Sequence, residues 1–207
     1  VLNLSSTNKS ENIYETGLGK GPANYAPLSP INFLRRTASV YPNRTAIIYG
    51  DLKFSYGEFF TRCRGLAFAL QRDGVGAGDT VSVMAPNIPA MLECHYGVPM
   101  VGAILNAINT RLDSTSIAFI LEHSEAKVVI VDQEYLQIVL PAIKNLKHMP
   151  LVVIIGTEDA SPYTINSKCY EAFIANSGVP DASHFDAPRD EWEAISLCYT
   201  SGTTGNP

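Results

Sequence analysis

Four short apolar runs constrain this chain more than any other feature. They begin near Val81 (VSVMAP), Ile104 (ILNAIN), Val128 (VVIVD) and Leu151 (LVVIIG), at intervals of 23, 24 and 23 residues. Each interval accommodates a strand, a turn and a helix, and short runs that are apolar on both faces belong to strands covered on both sides. The fold class is therefore α/β, a mostly parallel sheet flanked by helices. The spacing is a rhythm of elements and not a repeat, because the four segments share no residue pattern.

Around that body the local signals differ. Residues 1–27 carry Gly17, Gly19, Gly21, Pro22 and Pro27 with few periodic apolar positions, and read as an extended leader. Ordered structure is expected from residue 28 to 207, opening with a hydroxyl cap and proline at Ser29-Pro30 and a helix with Ile31, Leu34 and Ala38 on one face. A small early β-hairpin is predicted from Thr45–Tyr49 and Leu52–Tyr56 about Gly50-Asp51. Phe59, Cys63, Leu66, Ala67 and Leu70 then form the stripe of a helix that stops at Asp73-Gly74. Further helices are expected after an Asn87 cap, from Asp113 or Ser114, and from Glu134 to about Leu146, the last kinked or split by Pro141. Residues 157–190 read as irregular with one short helix around Tyr170 to Ala175, and Ala194 to Tyr199 as a final strand.

Composition removes several functions. The 15 basic and 20 acidic residues give a net charge of −5 with no basic cluster, which argues against nucleic-acid binding. With 46% hydrophobic residues the chain can bury a sizeable core. Cys63, Cys94, Cys169 and Cys198 are too widely spaced for a zinc site and read as buried thiols of a reducing compartment; no metal ligand set is expected. The longest aliphatic runs are too short to span a bilayer, and no signal peptide is visible, so the expected location is cytoplasmic.

The segment with an unusual chemical signature is Tyr199 to Pro207. Thr200, Ser201, Gly202, Thr203, Thr204 and Gly205 place four hydroxyls and two glycines in six positions directly after a predicted strand. Glycine lets backbone N–H groups approach a ligand and the hydroxyls add donors, as a polyphosphate requires; the same composition also suits a flexible tail. Position after a strand of a parallel sheet favours the phosphate reading. A Walker A loop is excluded because its lysine is missing from the required place.

Those nine residues resemble the signature of the adenylate-forming acyl-CoA synthetase superfamily, approximately [YS]-[TS]-S-G-T-T-G-x-P-K-G, up to the residue before its lysine. Pro42-Asn43-Arg44-Thr45-Ala46, Gly78-Asp79-Thr80-Val81, Ala85-Pro86-Asn87, Asn109-Thr110-Arg111-Leu112 and Val131-Asp132 follow in that family's order. His123-Ser124-Glu125-Ala126-Lys127 and Val98-Pro99-Met100 are similar to enzymes acting on short, medium or aromatic acids. The resemblance implies part of the large AMP-binding domain and two half-reactions. A carboxylate attacks the α-phosphorus of Mg2+-bound ATP, releasing pyrophosphate, and the thiol of coenzyme A then displaces AMP from the acyl-adenylate. Thr200, Ser201, Gly202, Thr203, Thr204 and Gly205 would be the phosphate-contacting loop. The chain is expected to be a fragment, inactive alone, with no catalytic residue of its own, and with peroxisome as the alternative compartment. The competing readings are a binding or interaction module on the same scaffold and another adenylate-forming enzyme.

Other reactive residues read as structural. His95 beside Cys94 is expected to be a core histidine and Cys198 to pack in its strand. Arg111 is expected to pair with a nearby carboxylate and Asp132 to cap a helix.

Overall fold

A computed structural model describes residues 13–14, 16–21, 23–159, 166–175, 185 and 188–200. Helix α1 is Pro30–Val40, with Ser29 as N-cap accepting from the Asn32 N–H and Ile31, Leu34 and Ala38 buried. Strands β1 (Thr45–Tyr49) and β2 (Leu52–Ser55) pair antiparallel about Gly50, whose φ of 57° is the left-handed value such a tight loop needs. Helix α2 (Tyr56–Arg72) opens with a full capping box. Ser55 accepts the Glu58 N–H and the Glu58 carboxylate accepts the Ser55 N–H at 2.7 Å.

The body follows as β3 (Thr80–Met84), α3 (Pro89–Met100), β4 (Ile104–Ala107), α4 (Ser114–His123), β5 (Ala126–Asp132), α5 (Leu136–Ile143), β6 (Leu151–Ile155), β7 (Ser167–Cys169), α6 (Tyr170–Ala175) and β8 (Ser196–Leu197). All six strands from β3 to β8 run parallel, in the order β7-β6-β5-β3-β4-β8. Every residue of β3 and β6 is buried, as strands covered on both faces require.

The strand alternation divides the core. On one face Val81, Val83, Leu105, Val128, Ile130 and Val153 meet α2, α3 and α6; on the other Val129, Val131, Val152 and Ile154 meet α4 and α5. Leu66 and Leu70 of α2 are wholly buried, each contributing roughly 1.5–3 kcal/mol. Helices α2 and α3 touch so closely at Gly97 that a Cβ there would stand 2.9 Å from the Cys63 carbonyl oxygen.

Several local expectations change. Asn87 does not cap α3: Pro89 sets the first helical residue, Ile88 is the extended N-cap without a side-chain bond, and Asn87 falls one position too early. Pro141 lies inside an unbroken α5, and the expected break occurs earlier. Asp132 there accepts from the Glu134 N–H and starts a 3-10 turn, Gln133–Tyr135, before the α-helix. The capping role expected of Asp132 is thus observed. Strand β7 was not foreseen, and β8 covers only two of the six residues expected, those opposite Leu105 and Asn106 of β4. Cys63 and Cys94 are buried as expected, but Cys169 is half-buried and Cys198 exposed, both on outer strands or just beyond them.

Candidate functional site

The sheet order creates a cleft. From β3 the chain turns through α3 on one face, and from β4 it turns through α4 on the other, although β3 and β4 are hydrogen-bonded neighbours. Their outgoing loops must part, and the crevice outside the carboxyl ends of such strands is where open α/β sheets bind ligands. A cavity of about 300 Å³ lies there, lined by Asn87 after β3, Met91 of α3, Asn106 and Asn109 at β4, Ile120 of α4 and Tyr199.

Asn106 is fully buried at this cleft and only half satisfied. Its Nδ2 donates to Ser82 Oγ at 3.0 Å, while Oδ1 has no hydrogen-bond partner among the described residues. Turning the amide over would pair the oxygen and orphan the NH2 group, so one polar atom is left over in either orientation. An unpaired buried group of this kind costs roughly 1–3 kcal/mol, and a ligand or water able to hydrogen-bond it would recover that cost.

Beside the cleft, β8 adds to β4 with Leu105 opposite Ser196 and Asn106 opposite Leu197, and the Leu105 N–H donates to the Ile195 carbonyl at 3.1 Å. Tyr199 then turns toward α4, its hydroxyl 2.7 Å from His123 Nδ1. Of the six residues expected to hold phosphates, Thr200 is exposed immediately after Tyr199. Ser201, Gly202, Thr203, Thr204 and Gly205 lie outside the described residues.

The Cys94–His95 pair has no catalytic geometry. Cys94 is buried, and burial pushes its thiol well above the ordinary range, so it stays protonated and inert. His95 is exposed instead of in the core: its ring lines a separate groove with Ile47, Tyr49 and Leu92, where partial burial lowers its pKa. Arg111 is exposed, its backbone N–H donates to Asn109 Oδ1, and no carboxylate pairs with it among the described residues. The Asn109 side chain bonds the backbone of this turn, and the ion pair expected of Arg111 is not seen among the described residues. Among the described residues there is no cluster of three or more His, Cys, Asp or Glu residues able to hold a metal ion.

One buried charge went unseen in the sequence. Glu93 of α3 is completely buried; Arg62 of α2 donates to it through Nε at 2.5 Å and Nη2 at 3.3 Å, and the Tyr170 hydroxyl of α6 donates at 2.7 Å. Arg62 also forks onto the exposed Glu171 at 2.9 and 2.7 Å. Burial opposes the guanidinium charge, but the hydrogen bonds to Glu171 and Glu93 outweigh it and raise the Arg62 pKa. Burial likewise lifts Tyr170 far above its usual value, keeping it a donor. The available signal was a lone acid inside the otherwise uncharged helix PAMLECHYGVPM. This network joins three helices away from the cleft.

Comparisons with known proteins fit this geometry. Residues 34–207 match the family model described as AMP-binding enzyme. The chain is 41% identical over 203 residues to a peroxisomal acetate/butyrate–CoA ligase of Arabidopsis thaliana, covering 92% of this chain and 35% of that one. It is 42% identical over 205 residues to a peroxisomal trans-cinnamate:CoA ligase of Petunia hybrida, covering 92% and 36%. The crystal structure of an anthranilate CoA ligase in complex with anthranoyl-AMP superposes with a TM-score of 0.77 at 26% identity, over 86% of this chain and 33% of that one. The chain thus spans about a third of the length of these relatives. Sheet order, cleft and family match agree, and the chain belongs to the AMP-binding enzyme family.

Proposed function

We propose that residues 28–207, following a leader at 1–27, are part of the AMP-binding domain of an acid–thiol ligase. In its first step a carboxylate oxygen of the acid bonds to the α-phosphorus of ATP while the bond to the β-phosphate bridge breaks, giving acyl-adenylate and pyrophosphate. In the second, the sulfur of coenzyme A bonds to the acyl carbon, the acyl–phosphate oxygen leaves with AMP, and the thiol proton passes to solvent. The observation that carries this reading is the cleft between β3 and β4, bordered by Tyr199, from which the sequence runs directly into Thr200, Ser201, Gly202, Thr203, Thr204 and Gly205.

The task of that run is electrostatic. Gly202 and Gly205 give backbone N–H groups access to the β- and γ-phosphates, and the four hydroxyls donate as charge moves onto departing pyrophosphate. It holds and orients, and moves no proton. The relatives' acetate, butyrate and trans-cinnamate names support a small aliphatic or aromatic acid as substrate, and their peroxisomal location makes the peroxisome the first alternative to cytoplasm.

The test is ATP–pyrophosphate exchange by the complete protein with a panel of short aliphatic, medium-chain and aromatic acids. Exchange with at least one of them is expected; none with any acid would overturn the reading. The 207 residues alone are expected to release no pyrophosphate, and carboxylate-dependent release by them would correct that expectation.

A further inference from the structure

We propose that His123 is a positioning residue for the run that begins at Thr200, acting through the side chain of Tyr199. This deepens the ligase reading and rests on it.

The backbone gives that run a weak root. Strand β8 is two residues long, its neighbour Cys198 is exposed, and Thr200 is exposed in turn. Between the end of the ladder and Thr200, the fixed point is the Tyr199 ring. Its hydroxyl lies 2.7 Å from Nδ1 of His123, 76 positions away in the chain, and the two rings meet edge to face at 5.7 Å and 81°. When the imidazole carries its proton on Nε2, the tyrosine hydroxyl donates to Nδ1.

His123 can serve as an anchor because it is itself held. Phe119, one helical turn earlier, stacks on the imidazole at 5.5 Å and 18°. Helix α4 is fastened at both ends: Asp113 caps its start, Ser114 Oγ donates to the Ile138 carbonyl of α5 at 2.7 Å, and Glu122 pairs with Lys147 at 3.0 Å near its close. Tyr199 also packs against the apolar cluster of that face and lines the cleft. A chain pinned at Tyr199 gives Thr200 a fixed starting point, which a site made of aimed donors depends on.

The test uses the complete protein and an acid it accepts, with ATP–pyrophosphate exchange as the assay. Losing one neutral hydrogen bond corresponds to about threefold to tenfold in affinity. Tyr199→Phe and His123→Leu are therefore each expected to raise KM for ATP by that factor, leaving KM for the acid within about twofold. The double variant should be no worse than the poorer single one, and His123→Gln, which keeps an acceptor, should recover most of the loss. Unchanged KM for ATP in both single variants would overturn the proposal. So would equal rises in both KM values together with a fall in Tm, the signature of a merely structural contact. If the unmodified protein exchanges with no acid, the ligase reading falls; calorimetric ATP binding by the same variants still decides the positioning role, which fails if their Kd values equal that of the unmodified protein.

Discussion

Glu93 and Asn106 are both wholly buried polar residues, and their surroundings treat them in opposite ways. Glu93 receives donors from Arg62 and Tyr170, and Arg62 is tied in turn to Glu171, so the charge on α3 is enclosed by partners from two further helices. Asn106, at the carboxyl end of β4, has Ser82 as its single side-chain partner among the described residues and keeps an atom unpaired there beside a cavity. A fully satisfied buried group fixes architecture; a half-satisfied one at a sheet crevice is available to something that enters. The contrast separates the part of this molecule that holds from the part proposed to bind.

The difference can be broken most forcefully at Glu93. Replacing it with alanine takes from Arg62 the buried one of its two carboxylates, removes the acceptor of the buried Tyr170 hydroxyl, and is expected to cost about 3–5 kcal/mol in denaturant unfolding. A loss below about 1 kcal/mol would mean that the network does not join the helices. Tyr170→Phe removes one donor to a charged acceptor and should cost about 1.5–3 kcal/mol, with the arginine contact intact. At the cleft, Asn106→Leu removes the orphaned atom but also the donor to the buried Ser82 Oγ, and these opposing effects of roughly 1–3 kcal/mol each should leave unfolding changed by less than about 2 kcal/mol. A penalty as large as that of Glu93→Ala would erase the distinction between the two residues.

The smallest effect concerns acid. Glu58, Asp113 and Glu122 are held below the ordinary carboxylate range by the Ser55 backbone N–H, the Ser116 backbone N–H and the Lys147 ammonium respectively. Because their folded pKa values are depressed, the unfolded chain takes up protons first as pH falls. Their stabilisation is therefore complete above about pH 5 and is lost progressively below about pH 4. Urea midpoints measured across that range should decline, and a flat profile would contradict these caps and pairs.

The periodicity of the sequence made the body of the fold legible. The runs at Val81, Ile104, Val128 and Leu151 are strands because a doubly covered parallel sheet buries both faces of such short segments, and Ser29 and Asp113 announce their helices through local hydrogen bonds, whereas the Ser55 cap fell inside the expected strand. Elements that depend on a distant partner were not legible. Strand β7 exists through its pairing with β6, and the extent of β8 is limited to the two residues paired with Leu105 and Asn106. Asn87 shows a local signal displaced by a neighbouring one, since Pro89 claims the first helical position.

For the proposed site, the chemistry of the run at Thr200 made it the candidate in the sequence, but the cleft required the order of strands, and that order is a matter of crossovers. The meeting of His123 with Tyr199 was invisible for the same reason, as 76 residues separate them. Glu93 could have been suspected from its uncharged helix, although its partners on α2 and α6 could not.

The most direct measurement is calorimetric ATP binding by the complete protein, with and without the paired substitutions Thr203→Ala and Thr204→Ala. If the hydroxyl-and-glycine run after β8 grips the phosphates, the pair should weaken ATP binding by about tenfold or more, since hydrogen bonds to charged acceptors are each worth about 1.5–3 kcal/mol. An ATP Kd unchanged by both substitutions would contradict the account.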